Sequence, residues 1–229
     1  MIWIGFIVLG FVSGSIPFAL LIGRAKGVDI RRHGSGNVGA TNVSRVLGRP
    51  YGLLCFALDA AKGAGPVVAA GLVQGVFGAT VAAVEPTAQW AWLAVAVASV
   101  AGHMFSPFVG FRGGKGVATG FGSMVAMWNI LTIPLLLALA AWLCVLAVSR
   151  YISLASIVAA QVVPIAFMTI MLVRDGGDDP NARVVHAMPV LIVTIGIAAL
   201  VVLRHRANIA RLQRGEEPRI GQGRRAGGA

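Results

Sequence analysis

The sequence predicts an all-α polytopic membrane protein of seven transmembrane helices, with its N-terminus outside and its C-terminus in the cytoplasm. Three observations carry this reading. Of 229 residues, 57% are hydrophobic and only 12% are charged, about half the charged fraction of an ordinary soluble domain. The apolar residues run in stretches long enough to cross a bilayer, which takes about 20 helical residues. The Lys and Arg residues collect in a few segments between those stretches, and short basic segments stay on the cytoplasmic side.

Residues 1–22 are apolar, with Arg24 and Lys26 after them and no charge in front. A cleaved signal peptide carries its positive charge first, so this stretch reads as a retained helix entered from outside. The second helix lies within 51–83. Asp59 and Lys62 in its first half, followed by Gly63, Gly65 and Pro66, predict a charged, broken segment facing protein or a wet cavity. A third helix is predicted at about 89–108, a sixth at about 152–172 and a seventh at about 185–203.

The stretch 117–149 carries no charge and is longer than one crossing. Charge counting decides how it is laid out. Arg24, Lys26, Arg31, Arg32, Arg45 and Arg49 fill 24–50, Arg112 and Lys115 follow, then Arg150, then seven arginines from 204 onward. If all four groups are cytoplasmic, the chain crosses twice between Lys115 and Arg150, turning near Trp128, Asn129 and Pro134. Loops 84–88 and 173–184, with Glu85, Asp175, Asp178 and Asp179 against Arg174 and Arg183, become the outside loops. Residues 1–212 form the membrane domain, and 213–229 a basic, flexible cytoplasmic tail.

Gly71/Gly75 and Gly116/Gly120 repeat at the four-residue spacing that suits close helix packing in lipid. Cys55 and Cys144 sit inside apolar runs and read as small buried hydrophobes. No metal-ligand cluster is present in the sequence, and no nucleic-acid-reading module accompanies the net charge of +11.

Five segments carry polar chemistry. The loop His33–Gly48 places Gly34, Gly36 and Gly39 around Ser35 and Asn37, then Thr41, Asn42, Arg45, and Arg49 just beyond. Glycines let backbone N–H groups converge on an anion, hydroxyls add donors, and guanidinium groups clamp phosphate oxygens. A helix over 38–48 would put Thr41 and Arg45 on one face; a flexible basic connector is the plainer alternative. In Gly102–Thr119, Arg112, Gly113, Gly114, Lys115 and Gly116 form a second basic glycine turn, a phosphate nest if the next helix starts there. It departs from a Walker A loop, having no Ser or Thr after Lys115. His103 precedes it, either as a catalytic group or as an interfacial one.

Asp59 and Lys62 are one turn apart, which fits a structural ion pair or a lysine held toward a ligand. Arg150, Ser153 and Ser156 open another helix. Asn208, Arg211 and Leu212 fall at helical spacing after the last crossing, with Glu217 able to pair with a basic loop, although an amphipathic helix lying on anionic lipid fits equally.

GSGNVGATNVSRVLG at 34–48, DAAKG at 59–63, FRGGKGVAT at 111–119, RYISLAS at 150–156 and HRANIARLQRGEE at 205–217 resemble, in order and spacing, the acyl-phosphate-dependent glycerol-3-phosphate acyltransferases of bacterial membranes. The resemblance covers nearly the whole chain. It implies a multi-pass protein of the bacterial inner membrane with its active site on the cytoplasmic side, seven helices and an external N-terminus. The implied activity transfers the acyl group of acyl phosphate to the sn-1 hydroxyl of glycerol 3-phosphate, releasing inorganic phosphate and 1-acylglycerol 3-phosphate, the first committed acylation of phospholipid synthesis. It implies no cofactor, no metal and no nucleic acid. The implied partners are the two substrates, membrane lipid, and the upstream enzyme that forms acyl phosphate. The His-x4-Asp pair of the more widespread acyltransferases is missing, since Phe108 and Val38 stand where the aspartate would follow His103 and His33. Family members usually carry proline where this chain has Ser106, and many have lysine at Arg112.

The mechanism expected from this places Ser35, Thr41, Asn42, Arg45 and Lys115 on the two phosphate groups. Lys62, His103 and Asn208 complete the cavity and orient the glycerol hydroxyl. Gly34, Gly36, Asn37, Arg49, Arg112, Gly113, Gly114, Gly116, Ser153 and Glu217 are expected with them among the substrate- and phosphate-binding residues, and Asp59 is the structural partner of Lys62. The proton leaves through the substrate's phosphate or, in the competing assignment, through His103. A transporter of a small phosphorylated solute is the rival reading; it would want polar groups at mid-membrane and repeated halves.

Overall fold

The computed structural model describes residues 1–173 and 179–220, so the acidic positions Asp175 and Asp178 and the last nine residues lie outside the described part. The chain is all-helical in that part: α1 Ile2–Ser15, α2 Phe18–Ala25, α3 Ala40–Leu47, α4 Arg49–Val73, α5 Pro86–Met104, α6 Val117–Val125, α7 Thr132–Ser149, α8 Ile152–Val173, α9 Pro180–His186, α10 Met188–Arg204 and α11 Arg206–Gln213. Five segments are long and apolar enough to cross a membrane, and a sixth if α10 and α11, bent by 56°, count as one. The molecule is a multi-pass membrane protein.

The first span is interrupted at Ile16–Pro17 between α1 and α2. Proline has no N–H to continue the ladder, so the last carbonyls of α1 need other donors. They find them across the fold. Lys62 Nζ donates to the Ile16 carbonyl at 2.6 Å and Ser106 Oγ to the Ser15 carbonyl at 2.6 Å.

Between lipid-surrounded helices, close backbone approach replaces the hydrophobic drive that holds soluble bundles. On α1, a side chain at Gly10 or Gly14 would run into the backbone of Val95 or Ser99 on α5, and one at Gly102 into Phe11 and Ser15. Gly63 and Gly122 do the same for α4 and α6, against Thr119 and Ala60. Gly71 makes room for Trp92, which is fully buried and donates Nε1–H to the Val67 carbonyl at 2.8 Å.

Several expectations are corrected. α4 is one continuous helix despite Gly63, Gly65 and Pro66; Gly63 and Pro66 are buried, with Gly63 packed against Thr119 of α6, whereas Gly65 has open space around it. Of the predicted packing pairs, Gly75 is a left-handed turn residue with open space around it, and Gly116 is the left-handed cap of α6. Cys55 is buried as expected, but Cys144 is exposed, since α7 packs chiefly along α8 and leaves its other faces open. The packed chain also runs past residue 212: Glu217 is buried and the Ile220 N–H donates to the Arg150 carbonyl at 2.8 Å.

The uncharged stretch 117–149 is divided into α6 and α7, with a turn at 126–131 that includes Trp128 and Asn129; Pro134 lies inside α7. Asn129 Nδ2 donates to the Gly78 carbonyl at 3.0 Å, and His186 Nε2 lies 3.1 Å from the carbonyls of both Val81 and Val84. These contacts gather three loops at the Pro86 end of α5. The basic segments gather at its Met104 end.

Candidate functional site

At the Met104 end the expected residues fall into three neighbouring groups. The first is the loop 29–39, capped by α3. The Asn42 side chain, 1% exposed, accepts from the Ser35 N–H at 2.8 Å and donates through Nδ2 to the carbonyls of Ile30 and His33, both at 3.1 Å. Its amide is therefore engaged in shaping the loop, with both Nδ2 hydrogens donated to it. Gly34 and Gly36 have φ of +62° and +67°, a region that strains any residue with a side chain, and a Cβ on Gly34 would strike Asn42 Oδ1. The Gly39 N–H donates to the Asn37 carbonyl at 3.1 Å and opens α3, which carries Thr41 and Arg45 four residues apart as expected. Ser35 is exposed at the loop's tip.

The second group is buried between α1, α4 and α5. Lys62 Nζ lies 2.7 Å from Asp59 Oδ1, with the two side chains 3% and 2% exposed, so the pairing read from their spacing is present. His103 Nδ1 is 3.7 Å from the same Asp59 oxygen. The fold thus brings a histidine and an aspartate together across 44 positions of sequence, a pairing that local spacing could not reveal. They enclose, with Ser15, Pro17, Ser106 and Gly114, a void of about 10 Å3, room for about one water molecule.

The third group surrounds Lys115. Its Nζ donates to Asn208 Oδ1, Asn208 Nδ2 donates to Glu217 Oε1 at 2.6 Å, Ser153 Oγ to the same oxygen at 2.8 Å, and Arg211 Nε to Glu217 Oε2 at 2.7 Å. Arg45 lies within the field of Glu217 and Arg211. Burial alone would push the Glu217 carboxyl up, but hydrogen bonds from Asn208, Ser153 and Arg211, with the charge of Arg211, hold it below its ordinary value. Burial pushes the Lys115 ammonium down to about 8, opposed by Glu217 and reinforced by Arg211, Arg45 and Arg204.

The turn before Lys115 works differently from a nest of free amides. The Gly113 N–H donates to the Met104 carbonyl at 3.1 Å and the Gly114 N–H to the His103 carbonyl at 3.2 Å. Both donors are engaged, so these glycines serve close packing: a Cβ on Gly113 would hit the His103 carbonyl, and one on Gly114 the His103 ring and the Val38 carbonyl. Gly116, at φ +80°, caps the nine-residue α6, whose N-terminal end favours an anion. Arg112 is exposed and, with Arg31, Gly36, Val38, Phe108 and Gly110, lines an open cleft of about 490 Å3. Arg31 is itself paired with Asp29 at 2.8 Å. Arg49 is exposed at the first turn of α4.

Sequence reasoning missed Arg204, counted only as a cytoplasmic charge, and gave Arg211 no ligand or site role. No group of three or more His, Cys, Asp or Glu placed to hold a metal occurs among the described residues.

Residues 4–215 match the family model described as glycerol-3-phosphate acyltransferase. The chain belongs to this family. Among similar members, the glycerol-3-phosphate acyltransferase of Trichlorobacter lovleyi is 39% identical over 92% of this chain and 93% of its own. That of Rubrobacter xylanophilus is 39% identical over 97% and 96%. The crystal structure of PlsY (YgiH), an integral membrane glycerol 3-phosphate acyltransferase, in its glycerol 3-phosphate form, superposes with a TM-score of 0.80 at 37% identity, covering 96% of both chains. Its lysophosphatidic acid form gives 0.75 at the same identity and coverage. Membership of this acyltransferase family and the arrangement around Lys115 agree: cations and amide donors meet at one end of the bundle, beside apolar helices.

Proposed function

We propose that the chain transfers a fatty acyl group from acyl phosphate to the sn-1 hydroxyl of glycerol 3-phosphate, giving 1-acylglycerol 3-phosphate and inorganic phosphate. The observation that carries this, beyond the family, is the convergence of Lys115, Asn208, Arg211 and Arg45 beside the start of α6. These are cations and amide donors suited to phosphate.

Acyl phosphate is a mixed anhydride and already activated, so placement and anion stabilisation do most of the catalytic task. Ser35, Thr41, Arg45 and Lys115 hold the two phosphates, with Asn208 orienting Lys115. The glycerol hydroxyl oxygen attacks the acyl carbonyl carbon, the bond from that carbon to the phosphate oxygen breaks, and the phosphate departs carrying the hydroxyl proton. His103 borders a void with room for about one water molecule and not for the body of glycerol 3-phosphate, which supports phosphate over histidine as proton acceptor. His103 and the Asp59–Lys62 pair then shape the turn behind the site.

The site faces the cytoplasm in a seven-crossing arrangement with the N-terminus outside. Two things support this. All four basic segments meet at the Met104 end of α5, and the chain from Gly116 to Asn129 leads from that end to the loop at Gly78, which supports reading 117–131 as a short crossing of its own. The acyl chain enters from the bilayer and glycerol 3-phosphate from the cytoplasm, where the acyl-phosphate-forming enzyme supplies the donor.

Purified full-length protein, given glycerol 3-phosphate with either acyl phosphate or acyl-CoA, tests the reading. Release of inorganic phosphate together with 1-acylglycerol 3-phosphate is expected only with acyl phosphate. Product formation from acyl-CoA alone overturns the donor assignment. Labelling that places Ser35 and Lys115 on opposite faces of the bilayer overturns the single cytoplasmic site.

A further inference from the structure

Arg204 ends α10, just before the 56° bend that turns the chain into α11. Its Nη2 donates to the carbonyls of Gly113 and Gly114, at 3.0 and 2.9 Å. Its guanidinium carbon lies 5.7 Å from the centre of the Phe105 ring, close enough for cation–π attraction. The N–H groups of the same two glycines are bonded back to Met104 and His103. Both glycines are therefore gripped on two sides, by the end of α5 through their N–H groups and by the end of α10 through their carbonyls.

Lys115 follows at once. A lysine side chain is a flexible four-carbon stem whose ammonium wanders unless both ends are fixed. Here the backbone end is set by the Gly113–Gly114 segment and the ammonium end by Asn208. Arg204 and Asn208 stand four residues apart on either side of the bend, so one short stretch of chain holds both ends of Lys115. We propose that Arg204 is a positioning residue: it aligns Lys115 for the substrate phosphate by clamping the two glycine carbonyls, without touching substrate itself. This rests on the reading of Lys115 as a phosphate ligand.

The test is a double-mutant cycle on the purified full-length protein, with glycerol 3-phosphate affinity measured by calorimetry in the absence of acyl donor. R204Q keeps hydrogen-bonding capacity but loses the charge and the reach, and is expected to raise Kd about tenfold, the scale of coupling within one hydrogen-bond network. On a K115A background the same change is expected to alter Kd less than about twofold, because Arg204 acts through Lys115. R204K restores charge and part of the reach, so it should fall between wild type and R204Q. It also serves as the variant of record if R204Q does not fold.

Additive effects of the Arg204 and Lys115 substitutions overturn the proposal alone, since they mean that Arg204 meets the ligand directly or acts elsewhere. Wild-type affinity in R204Q and R204K does the same. Wild-type affinity in K115A removes Lys115 from the phosphate site, which overturns that part of the proposed function and this proposal with it.

Discussion

Ser106 Oγ donates to the carbonyl of Ser15 at 2.6 Å, joining the end of α5 to the broken end of α1 across 91 positions of sequence. Both residues are buried. Replacing Ser106 with Ala leaves a buried carbonyl without its donor, and about 1–3 kcal/mol of stability should be lost. Replacing it with Pro should cost at least as much. The φ of Ser106, −60°, suits proline, but Phe105 before it has ψ 37°, and proline pushes its predecessor toward extended values. Thermal unfolding of the purified protein checks both; wild-type stability in S106A would remove the bond's importance.

Asn42 offers a sharper separation of support from contact. Asn42→Ala strips partners from the Ser35 N–H and from two carbonyls at once, so the loop should lose its shape and activity should fall at least tenfold. Asn42→Asp keeps the acceptor for Ser35 but loses the Nδ2 donor and sets a carboxylate against the Ile30 and His33 carbonyls. It should be nearly as damaging. A residue that merely touched phosphate would instead raise KM selectively, and steady-state kinetics on both variants distinguishes the two.

The Asp59–Lys62 pair is almost wholly enclosed. Removing one member strands a buried charge, at a cost of about 3–5 kcal/mol, so D59N and K62M should each unfold well below wild type. Replacing both, as in D59L/K62M, should be less damaging than the singles together. Some loss remains because Lys62 also supplies the Ile16 carbonyl at the helix break. Strictly additive unfolding temperatures would mean that the two residues act independently.

Much of this was legible in the sequence, and what escaped shares a physical cause. The membrane class, the helix carrying Thr41 and Arg45, and the Asp59–Lys62 pair follow from composition and local spacing. Glu217, too, was readable as a partner for basic groups. Lys62 capping Ile16, Ser106 capping Ser15 and Arg204 holding Gly113 and Gly114 join residues 46, 91 and 91 positions apart or nearly so, and no periodicity encodes such partners. Arg204 was also hidden by its type. Counting positive charges assigns a side of the membrane but gives no direction to a guanidinium. The glycines of both loops suggested anion binding because composition cannot say whether a backbone N–H is free; in Gly113 and Gly114 it is not.

The ammonium of Lys115, held down to about 8, makes a prediction in which two measurements move oppositely with pH. The ordinary value is 10.5, so between about 8 and 10.5 the unfolded chain holds more protons at this position than the folded one. Stability from this group therefore rises with pH across that window, and the penalty of burying the charge is fully present below it. The difference in unfolding temperature between wild type and K115A should accordingly shift in favour of wild type as pH rises from 8 toward 10. Phosphate binding needs the charge, so affinity for glycerol 3-phosphate should fall over the same range. At the acid end it should fall below about pH 6, where a phosphate monoester loses its second charge. Replacing Lys115 with Arg, whose charge persists past pH 12, should abolish the alkaline fall while leaving the acid one. An alkaline limb unchanged in K115R would assign it to another group and take the phosphate away from Lys115.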